Sequence, residues 1–224
     1  MGRMIVIDGL DGSGKATQAE LLKNYLSSRG CSTYTLDLPF YSDESSTLVK
    51  MYLSGELGEN PSDVNAYAAS TFYAADRYAS YKKHWQREYE SDKIVVANRY
   101  TTSNACHQMT KLSESEWDAY MDWLFDFEYN KLGVPSPDCV IFLEMPVEIS
   151  QRLLSKRYGG DEKKKDVHER DTSYLANCHK AAVYAADRLG WETVHCSDGN
   201  EPKSVEEISD EIFRIVERKL LFND

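Results

Sequence analysis

A glycine-rich loop near the N-terminus constrains this chain more than any other feature. Residues 9–15 read GLDGSGK, after an apolar run at residues 3–8 that is typical of a buried strand and before a helical pattern at residues 14–29. In this strand–loop–helix setting, the spacing G-x-x-x-x-G-K predicts a phosphate-binding loop. Glycines let successive N–H groups turn inward, the helix N-terminus adds partial positive charge, and Lys15 can reach the outer phosphates of a nucleoside triphosphate.

The residue after Lys15 departs from the usual loop. A Ser or Thr at this position ligates Mg²⁺ through its hydroxyl group, but this chain has Ala16, followed by Thr17. A methyl group cannot ligate a metal ion. Either Mg²⁺ is held through water and other carboxylates, or its binding is weakened, and both alternatives stay open.

Short apolar runs alternate with helical patterns along the rest of the chain. Strands are predicted at residues 3–8, 31–38, 93–97, 138–144 and 191–196. Helices are predicted at residues 14–29, 45–54, 62–90, 101–111, 115–131, 169–189 and 205–221. Apolar strands separated by helices indicate an α/β fold with a parallel sheet covered on both faces. Because the chain has 224 residues and no long linker, we expect one domain, residues 1–224.

The charge and composition of the chain limit the kinds of molecule that it is expected to bind. The formal net charge is −11, so the chain has no general attraction for nucleic acid or anionic membranes, and a phosphate site must gather its positive charge locally. The sequence lacks a long apolar run of the kind that spans a membrane. The five cysteines are widely spaced and the histidines lack zinc-site spacing, so we expect reduced thiols in a cytoplasmic protein without structural zinc.

With an Asp three residues before its last Gly, the loop resembles that of the thymidylate kinases, which are P-loop nucleoside monophosphate kinases. Further similar segments follow in the family's order, at residues 72–77, 98–100 and 166–171. The resemblance implies a three-layer P-loop NTPase fold, a five-stranded parallel sheet and a short mobile lid at about residues 156–168. It also implies a homodimer that uses ATP and Mg²⁺ to convert dTMP to dTDP, releasing ADP.

The longest predicted helix carries the segment FYAADR. In the family, an aromatic residue here stacks on thymine, and an Arg four positions later grips the dTMP phosphate. The resemblance gives these roles to Tyr73 and Arg77, which share one helix face. Considered alone, the two residues would be a core aromatic beside a surface Arg. Asp76 is expected to be a surface charge or an ion-pair partner.

The segment NRY follows the third predicted strand, where the family reads Asp-Arg-Tyr or Asp-Arg-His. By resemblance, Arg99 bridges the donor and acceptor phosphates, and Asn98 can order a metal-bound water without supplying charge. Ser103 and Asn104 inherit hydrogen bonds to thymine. His107 falls where a bulky family residue disfavours ribose, and an ordinary half-buried helix histidine is the equal alternative.

Two further segments match the family less fully. Residues 38–41 read LPFY, which keeps the family's Pro but lacks the Arg that follows it, and Tyr41 is the remaining candidate for a substrate contact. The lysine-rich lid segment alone would be a solvated loop, whereas basic lids of this kinase class close over ATP. By resemblance, Glu169 lies near the nucleotide sugar and the metal. Tyr174 is a further candidate at the thymine pocket, and residues 197–200 are a candidate adenine contact.

These assignments define three groups of residues, besides the substrate contacts named above. The predicted catalytic residues are Lys15, Arg99 and Asp11. The predicted nucleotide-binding residues are Asp11, Gly12, Ser13, Gly14, Lys15, Ala16 and Thr17. The candidate metal ligands are Asp8, Asp11, Asn98 and Glu169. The acceptor is already an anionic phosphate oxygen, so positioning and charge neutralisation matter more than a general base.

Three functions stay open at this point. The first is an active dTMP kinase. The second is a nucleotide-binding homologue with weak or no activity, favoured by Ala16, by Asn98 and by the Arg missing from the LPFY segment. The third keeps the enzyme class and changes the acceptor to dUMP or another deoxynucleotide. The retained cations Lys15, Arg77 and Arg99 favour the first, because phosphoryl transfer depends chiefly on cations around the phosphates.

Overall fold

A five-stranded parallel sheet forms the centre of the computed structural model, which describes residues 2–161 and 172–221. The strand order is β2-β3-β1-β4-β5, and all neighbouring strands are parallel. The strands are β1 Arg3–Gly9, β2 Thr33–Asp37, β3 Ile94–Asn98, β4 Cys139–Glu144 and β5 Glu192–His195. The predicted sheet is confirmed.

Helices cover both faces of this sheet, which gives the predicted three layers. They are α1 Lys15–Ser28, α2 Thr47–Ser54, α3 Ala66–Ser80, α4 Gln86–Glu90, α5 Thr102–His107, α6 Trp117–Phe125, α7 Val147–Arg157, α8 Thr172–Leu189 and α9 Val205–Val216. Ile5 and Ile7 pack against α1, α7 and α9. On the opposite face Met4 and Val6 pack against the segment around Trp85, and Phe142 packs against α5 and α8. Each large apolar side chain buried in this way contributes roughly 1.5–3 kcal/mol.

The longest predicted helix begins later than its sequence pattern indicates. Its first residues form a 3₁₀ turn, Pro61–Asp63, and α3 begins only after Asn65. The Asn65 side chain accepts a hydrogen bond from the Ala68 N–H at 2.8 Å, which satisfies a donor that the first turn of a helix leaves unpaired. After α3, a π-type turn at Tyr81–Trp85 leads into α4, so the predicted end near residue 90 is confirmed.

Other boundaries also differ from the prediction. The helix predicted at residues 101–111 ends at α5 and is followed by a 3₁₀ turn, Met109–Lys111. The helix predicted at 115–131 is α6 continued by a π-type turn, Asp126–Leu132, which ends at Gly133. A two-stranded antiparallel ribbon, β6 Ser197–Asp198 and β7 Glu201–Pro202, was not predicted. Strands this short leave too little periodicity to detect in a sequence.

Part of the predicted lid lies outside the described residues. Helix α7 ends at Arg157, and Tyr158–Gly160 follow it as a turn. Residues 162–171 are not described, and they include Glu169 and most of the lid predicted at residues 156–168.

Two further predictions concern the cysteines and membrane-spanning segments. All five cysteines are free of disulfide bonds in the structure, and their reduced state in the cell stays a prediction. Across residues 2–161 and 172–221, the helices are too short or too polar to cross a membrane.

Candidate active site

A cavity of about 350 Å³ opens at the carboxyl ends of the central strands, the edge where open α/β sheets bind ligands. It collects side chains from the phosphate-binding loop, the segment after β2, α3 and α5. The predicted site residues that line it are Asp11, Tyr41, Tyr73, Arg77, Asn98, Arg99, Ser103, Asn104 and His107. The fold therefore brings most of the predicted site together.

The loop before α1 has the backbone that phosphate binding requires. Gly12 and Gly14 have φ values of 86° and 90°, in the left-handed region that favours glycine. A Cβ on Gly12 would lie 2.5 Å from the Ser150 carbonyl oxygen, whereas a Cβ on Gly14 would meet nothing within 4 Å. The loop therefore packs tightly against α7 at Gly12 and leaves open space at the N-terminus of α1, where a phosphate is favoured.

Lys15 is held beside this open space. Its Nζ donates to the Leu10 carbonyl oxygen at 2.8 Å and lies 3.6 Å from Asp11 Oδ1. Burial and the neighbouring charge of Arg99 lower the pKa of Lys15 to about 8. A bound phosphate would favour the charged form again, so Lys15 is suited to gain a proton when nucleotide binds.

Arg99 connects the loop to α5. Its φ of 67° lies in the left-handed region, which non-glycine residues seldom adopt outside special sites. Its guanidinium donates to the Asp11 carboxylate, and Nη1 lies 3.4 Å from Ser103 Oγ and 3.3 Å from His107 Nε2. Because an arginine can only donate, His107 Nε2 must accept, and the imidazole is neutral in this arrangement.

Asp11 is the common partner of both cations. Burial would raise the pKa of this carboxyl group, but the charges of Arg99 and Lys15 outweigh burial and hold it well below its usual range. Asp11 is therefore ionised and holds Lys15 and Arg99 on one anchor. Two cations fixed around one carboxylate place donors where phosphates can contact them, and the buried Asp8 carboxylate acts on both cations from behind.

Asp8 is fully buried at the end of β1. Its carboxylate accepts hydrogen bonds from the Gly9 N–H at 2.8 Å, from Thr102 Oγ1 at 2.5 Å and from Ser103 Oγ at 2.8 Å. These bonds attach the first turn of α5 to the loop. Three donors therefore already use acceptor positions of this carboxylate. Direct metal ligation by Asp8 stays a prediction.

A residue that was not predicted lies behind Arg77, outside the lining of the cavity. Glu128, which is fully buried, accepts from Arg77 Nε at 2.5 Å and from Arg77 Nη2 at 3.0 Å. It also accepts from Asn104 Nδ2 at 3.4 Å. Arg77 is itself 3 % exposed, so the alternative of a surface Arg was wrong. No local pattern distinguishes Glu128 from a solvated helix charge, because its partners are far away in the sequence.

Of the two alternatives for Asp76, a surface charge or an ion-pair partner, the surface charge was wrong. It is 1 % exposed and accepts from the Phe40 N–H at 2.9 Å and from Ser45 Oγ at 2.6 Å. These bonds hold the segment after β2, including Tyr41, against α3. A helix residue adjacent to Arg77 therefore shapes the wall of the cavity.

Some lining residues were not predicted, and one predicted residue lies elsewhere. Gln108 lines the cavity four residues after Asn104, so helical spacing could have indicated it. Asp37, Leu53 and Tyr158 also line the cavity. Tyr174 does not: its hydroxyl donates to the His107 carbonyl oxygen at 2.7 Å, and its ring packs in a small cluster outside the cavity.

Comparison with known proteins agrees with this geometry. Residues 7–212 match the family model described as thymidylate kinase. The chain belongs to the thymidylate kinase family. It is 30 % identical over 186 residues to a thymidylate kinase of Mycobacterium tuberculosis, covering 81 % of this chain and 84 % of that protein. A probable thymidylate kinase of Pyrococcus abyssi is 26 % identical over 220 residues, covering 98 % of each chain.

A solved structure supports the fold. The thymidylate kinase of Candida albicans superposes with a TM-score of 0.70 at 20 % identity, over 97 % of this chain and 92 % of that one. At this identity the similarity concerns the fold alone. The predicted thymidylate kinase fold is confirmed.

For a member of the thymidylate kinase family, the metal region needs its own test. Within residues 2–161 and 172–221, no group of three or more His, Cys, Asp or Glu side chains is arranged to hold a metal ion. The Asn98 Oδ1 atom is buried without a hydrogen-bond partner among these residues, and Asp11 lies nearby on the same cavity. Mg²⁺ keeps several waters and uses one or two carboxylates plus substrate phosphates, so these oxygens fit a water-mediated Mg²⁺ site.

Proposed function

We propose that this chain transfers the γ-phosphoryl group of ATP to dTMP, giving dTDP and ADP. The observation that carries the proposal is the pairing of Lys15 and Arg99 on the single carboxylate of Asp11, between the phosphate loop and the cavity. Two fixed cations at this junction can face a donor phosphate on one side and an acceptor phosphate on the other. The names of the relatives support the same reaction.

The donor phosphates would occupy the open space at Gly14. There the N-terminus of α1 and Lys15 neutralise negative charge, and Arg99 meets the transferring group from the cavity side. The dTMP phosphate oxygen attacks the γ-phosphorus atom, and ADP leaves. A general base is unnecessary because the attacking oxygen is already anionic, so catalysis rests on alignment and fixed charge.

The nucleoside of dTMP would occupy the end of the cavity lined by Tyr73, Asn104 and Gln108. Tyr73 offers a ring on which thymine can stack. The charge of Arg77 is balanced by Glu128, which supports a contact of Arg77 with the neutral base. The contact with the acceptor phosphate inferred from the family resemblance stays a prediction.

We propose Mg²⁺ as the cofactor, with Asp11 and Asn98 as its candidate neighbours and Asp8 and Glu169 as further predicted ones. When bound, Mg²⁺ neutralises charge on the phosphates. The free cysteines support a reducing, cytoplasmic location. A homodimer is also proposed. Its support is the family resemblance, and light scattering of the purified protein tests it.

A coupled assay for ADP release tests the proposed reaction. The assay contains ATP, Mg²⁺ and dTMP, and we expect ADP release that depends on dTMP. Lys15→Met is the matched inactive control. ADP release no faster than with this variant, at saturating substrates, would contradict the proposal. Parallel reactions with dUMP and other deoxynucleoside monophosphates identify the preferred acceptor.

A second candidate function is nucleotide binding with little or no phosphoryl transfer. It is favoured by Ala16, which lacks a metal-ligating hydroxyl, and by Asn98, which supplies no charge. In that case calorimetry would detect ATP binding while ADP release stays at background. A gain of roughly one to three orders of magnitude in Asn98→Asp, the scale of a few kcal/mol, would identify a metal-impaired enzyme.

A further inference from the structure

Two polar side chains meet where β2 and β3 end. Asp37 pairs with Asn98 in the sheet register, and Asn98 Nδ2 donates to Asp37 Oδ1 at 2.6 Å. Both side chains line the cavity described above. A carboxylate therefore lies one hydrogen bond away from the amide side chain of the last residue of β3.

The hydrogen bond fixes the direction of the Asn98 amide. An ionised carboxylate only accepts, so the amide nitrogen must face Asp37 and the carbonyl oxygen must face away from it. That oxygen, Asn98 Oδ1, is buried and has no hydrogen-bond partner among the described residues. A buried acceptor without a donor is unusual in folded proteins, and a bound ion or water is one common reason for it.

Asp37 is exposed at the end of β2, so its carboxylate can meet a cation that enters the cavity. The nearby basic side chains are bonded to other carboxylates: Lys15 and Arg99 to Asp11, and Arg77 to Glu128. The cavity must nevertheless receive an anionic acceptor beside the triphosphate. Negative charges placed side by side are unfavourable unless a cation lies between them.

We propose that Asp37 and Asn98 together bind the hydration shell of the Mg²⁺ ion that accompanies the nucleotide phosphates. Asp37 supplies the negative charge that Asn98 lacks, and Asn98 Oδ1 accepts from a metal-bound water. The inference rests on the proposed function, because that function brings the metal and the phosphates to this cavity. Outer oxygens suit Mg²⁺, which gives up its waters reluctantly.

Binding of Mn²⁺, as a paramagnetic substitute for Mg²⁺, tests the inference without turnover. Electron paramagnetic resonance measures the Mn²⁺ dissociation constant of the full chain with a non-hydrolysable ATP analogue. In Asp37→Asn we expect this constant to rise about tenfold or more, because one charge near the ion is lost. The control is Asp187→Asn, which removes an exposed charge on α8 and should leave the constant unchanged.

The exchanged variant Asp37→Asn/Asn98→Asp separates a metal role from a structural one. It returns the charge to the same hydrogen-bonded pair, and we expect Mn²⁺ affinity within about threefold of the unmodified chain, since the ion sees nearly the same charge. If the pair only ties β2 to β3, the melting temperature of the metal-free protein will fall in Asp37→Asn while the Mn²⁺ constant stays within twofold. That outcome would overturn the inference.

The result also distinguishes this inference from the proposed function. Suppose that Mn²⁺ binds more weakly to Asp37→Asn and that the unmodified chain releases no ADP. The kinase proposal would then be contradicted, while the role of Asp37 and Asn98 in metal binding would be supported. If the unmodified chain releases ADP and Asp37→Asn leaves the Mn²⁺ affinity unchanged, the kinase proposal is supported and the role of Asp37 and Asn98 in metal binding is contradicted.

Discussion

The two ends of the cavity handle positive charge in different ways. At the phosphate loop, Lys15 and Arg99 are both ion-paired with one carboxylate, Asp11, and the buried Asp8 carboxylate also acts on both cations. At the far end, Arg77 has its own carboxylate, Glu128, in a bidentate pair that is almost entirely buried. At the first end both cations share their ion-pair partner, so each can also face a phosphate. The second end is locally neutral, which suits an uncharged base.

The largest effect is expected at the phosphate end. Replacing Arg99 by Met removes the cation between loop and cavity, and we expect kcat to fall by about three to four orders of magnitude, the scale seen for groups that stabilise the transferring phosphoryl group. Steady-state kinetics with ATP and dTMP measures it. Arg99→Lys is the control, because it keeps the positive charge but lacks the bidentate geometry of the guanidinium. Its kcat should lie between those of Arg99→Met and the unmodified chain.

A single fixed cation is expected to lower the activation free energy by several kcal/mol. An Arg99→Met variant that retains more than about a tenth of the unmodified kcat would therefore contradict the role given to the phosphate end of the cavity. The melting temperature should be recorded with it. A folded, inactive variant assigns the loss to chemistry.

At the neutral end, loss of one partner should affect stability before it affects chemistry. Glu128→Gln leaves a buried guanidinium without its counter-charge, and we expect the free energy of unfolding to drop by about 3–5 kcal/mol. Urea denaturation measures it. In Arg77→Met/Glu128→Gln the uncompensated charge is gone, so much of the stability should return. A drop below about 1 kcal/mol in Glu128→Gln, the range of exposed pairs, would mean that the pair is not buried in solution.

His107 lies between the two ends of the cavity, and His107→Ala tests which end its side chain serves. If its ring limits space at the sugar, His107→Ala will reduce discrimination between dTMP and its ribose analogue by about tenfold, a change of about 1.4 kcal/mol. If its ring only orients Arg99, through the contact at 3.3 Å, kcat will fall equally for both substrates. The ratio of kcat/KM for the two acceptors decides between these outcomes.

The smallest effect is a proton taken up with ATP. Lys15 has a pKa of about 8, lowered from 10.5 by burial and by Arg99. Bound phosphates raise it, so at pH 8 about half a proton should be taken up, with less uptake below pH 7 and more towards pH 9. Calorimetry in buffers of different ionisation enthalpy measures this uptake. It should vanish in Lys15→Met, and unchanged uptake there would assign the proton to another group.

Sequence reasoning worked best where function resides in short contiguous segments. Three short segments carry recognisable spacing: the loop at residues 9–15, the pair Tyr73 and Arg77, and the NRY segment that begins at the last residue of β3. The structure brings side chains from all three to one cavity. Sequence reasoning failed for Asp76, which looks like any charge on an amphipathic helix. Only its contacts with Phe40 and Ser45, more than 30 positions away in the chain, identify it as a buried anchor.

The sequence by itself determined the parallel sheet and the phosphate loop, because strand periodicity and loop glycines are local properties of the chain. The resemblance of several short segments then indicated the thymidylate kinase family. Tertiary structure alone decided how the charges are paired. Glu128 neutralises Arg77, Asp11 holds two cations, and Asp37 stands beside Asn98. Coulomb energies depend on distance in space and on burial, and neither follows from separation along the chain.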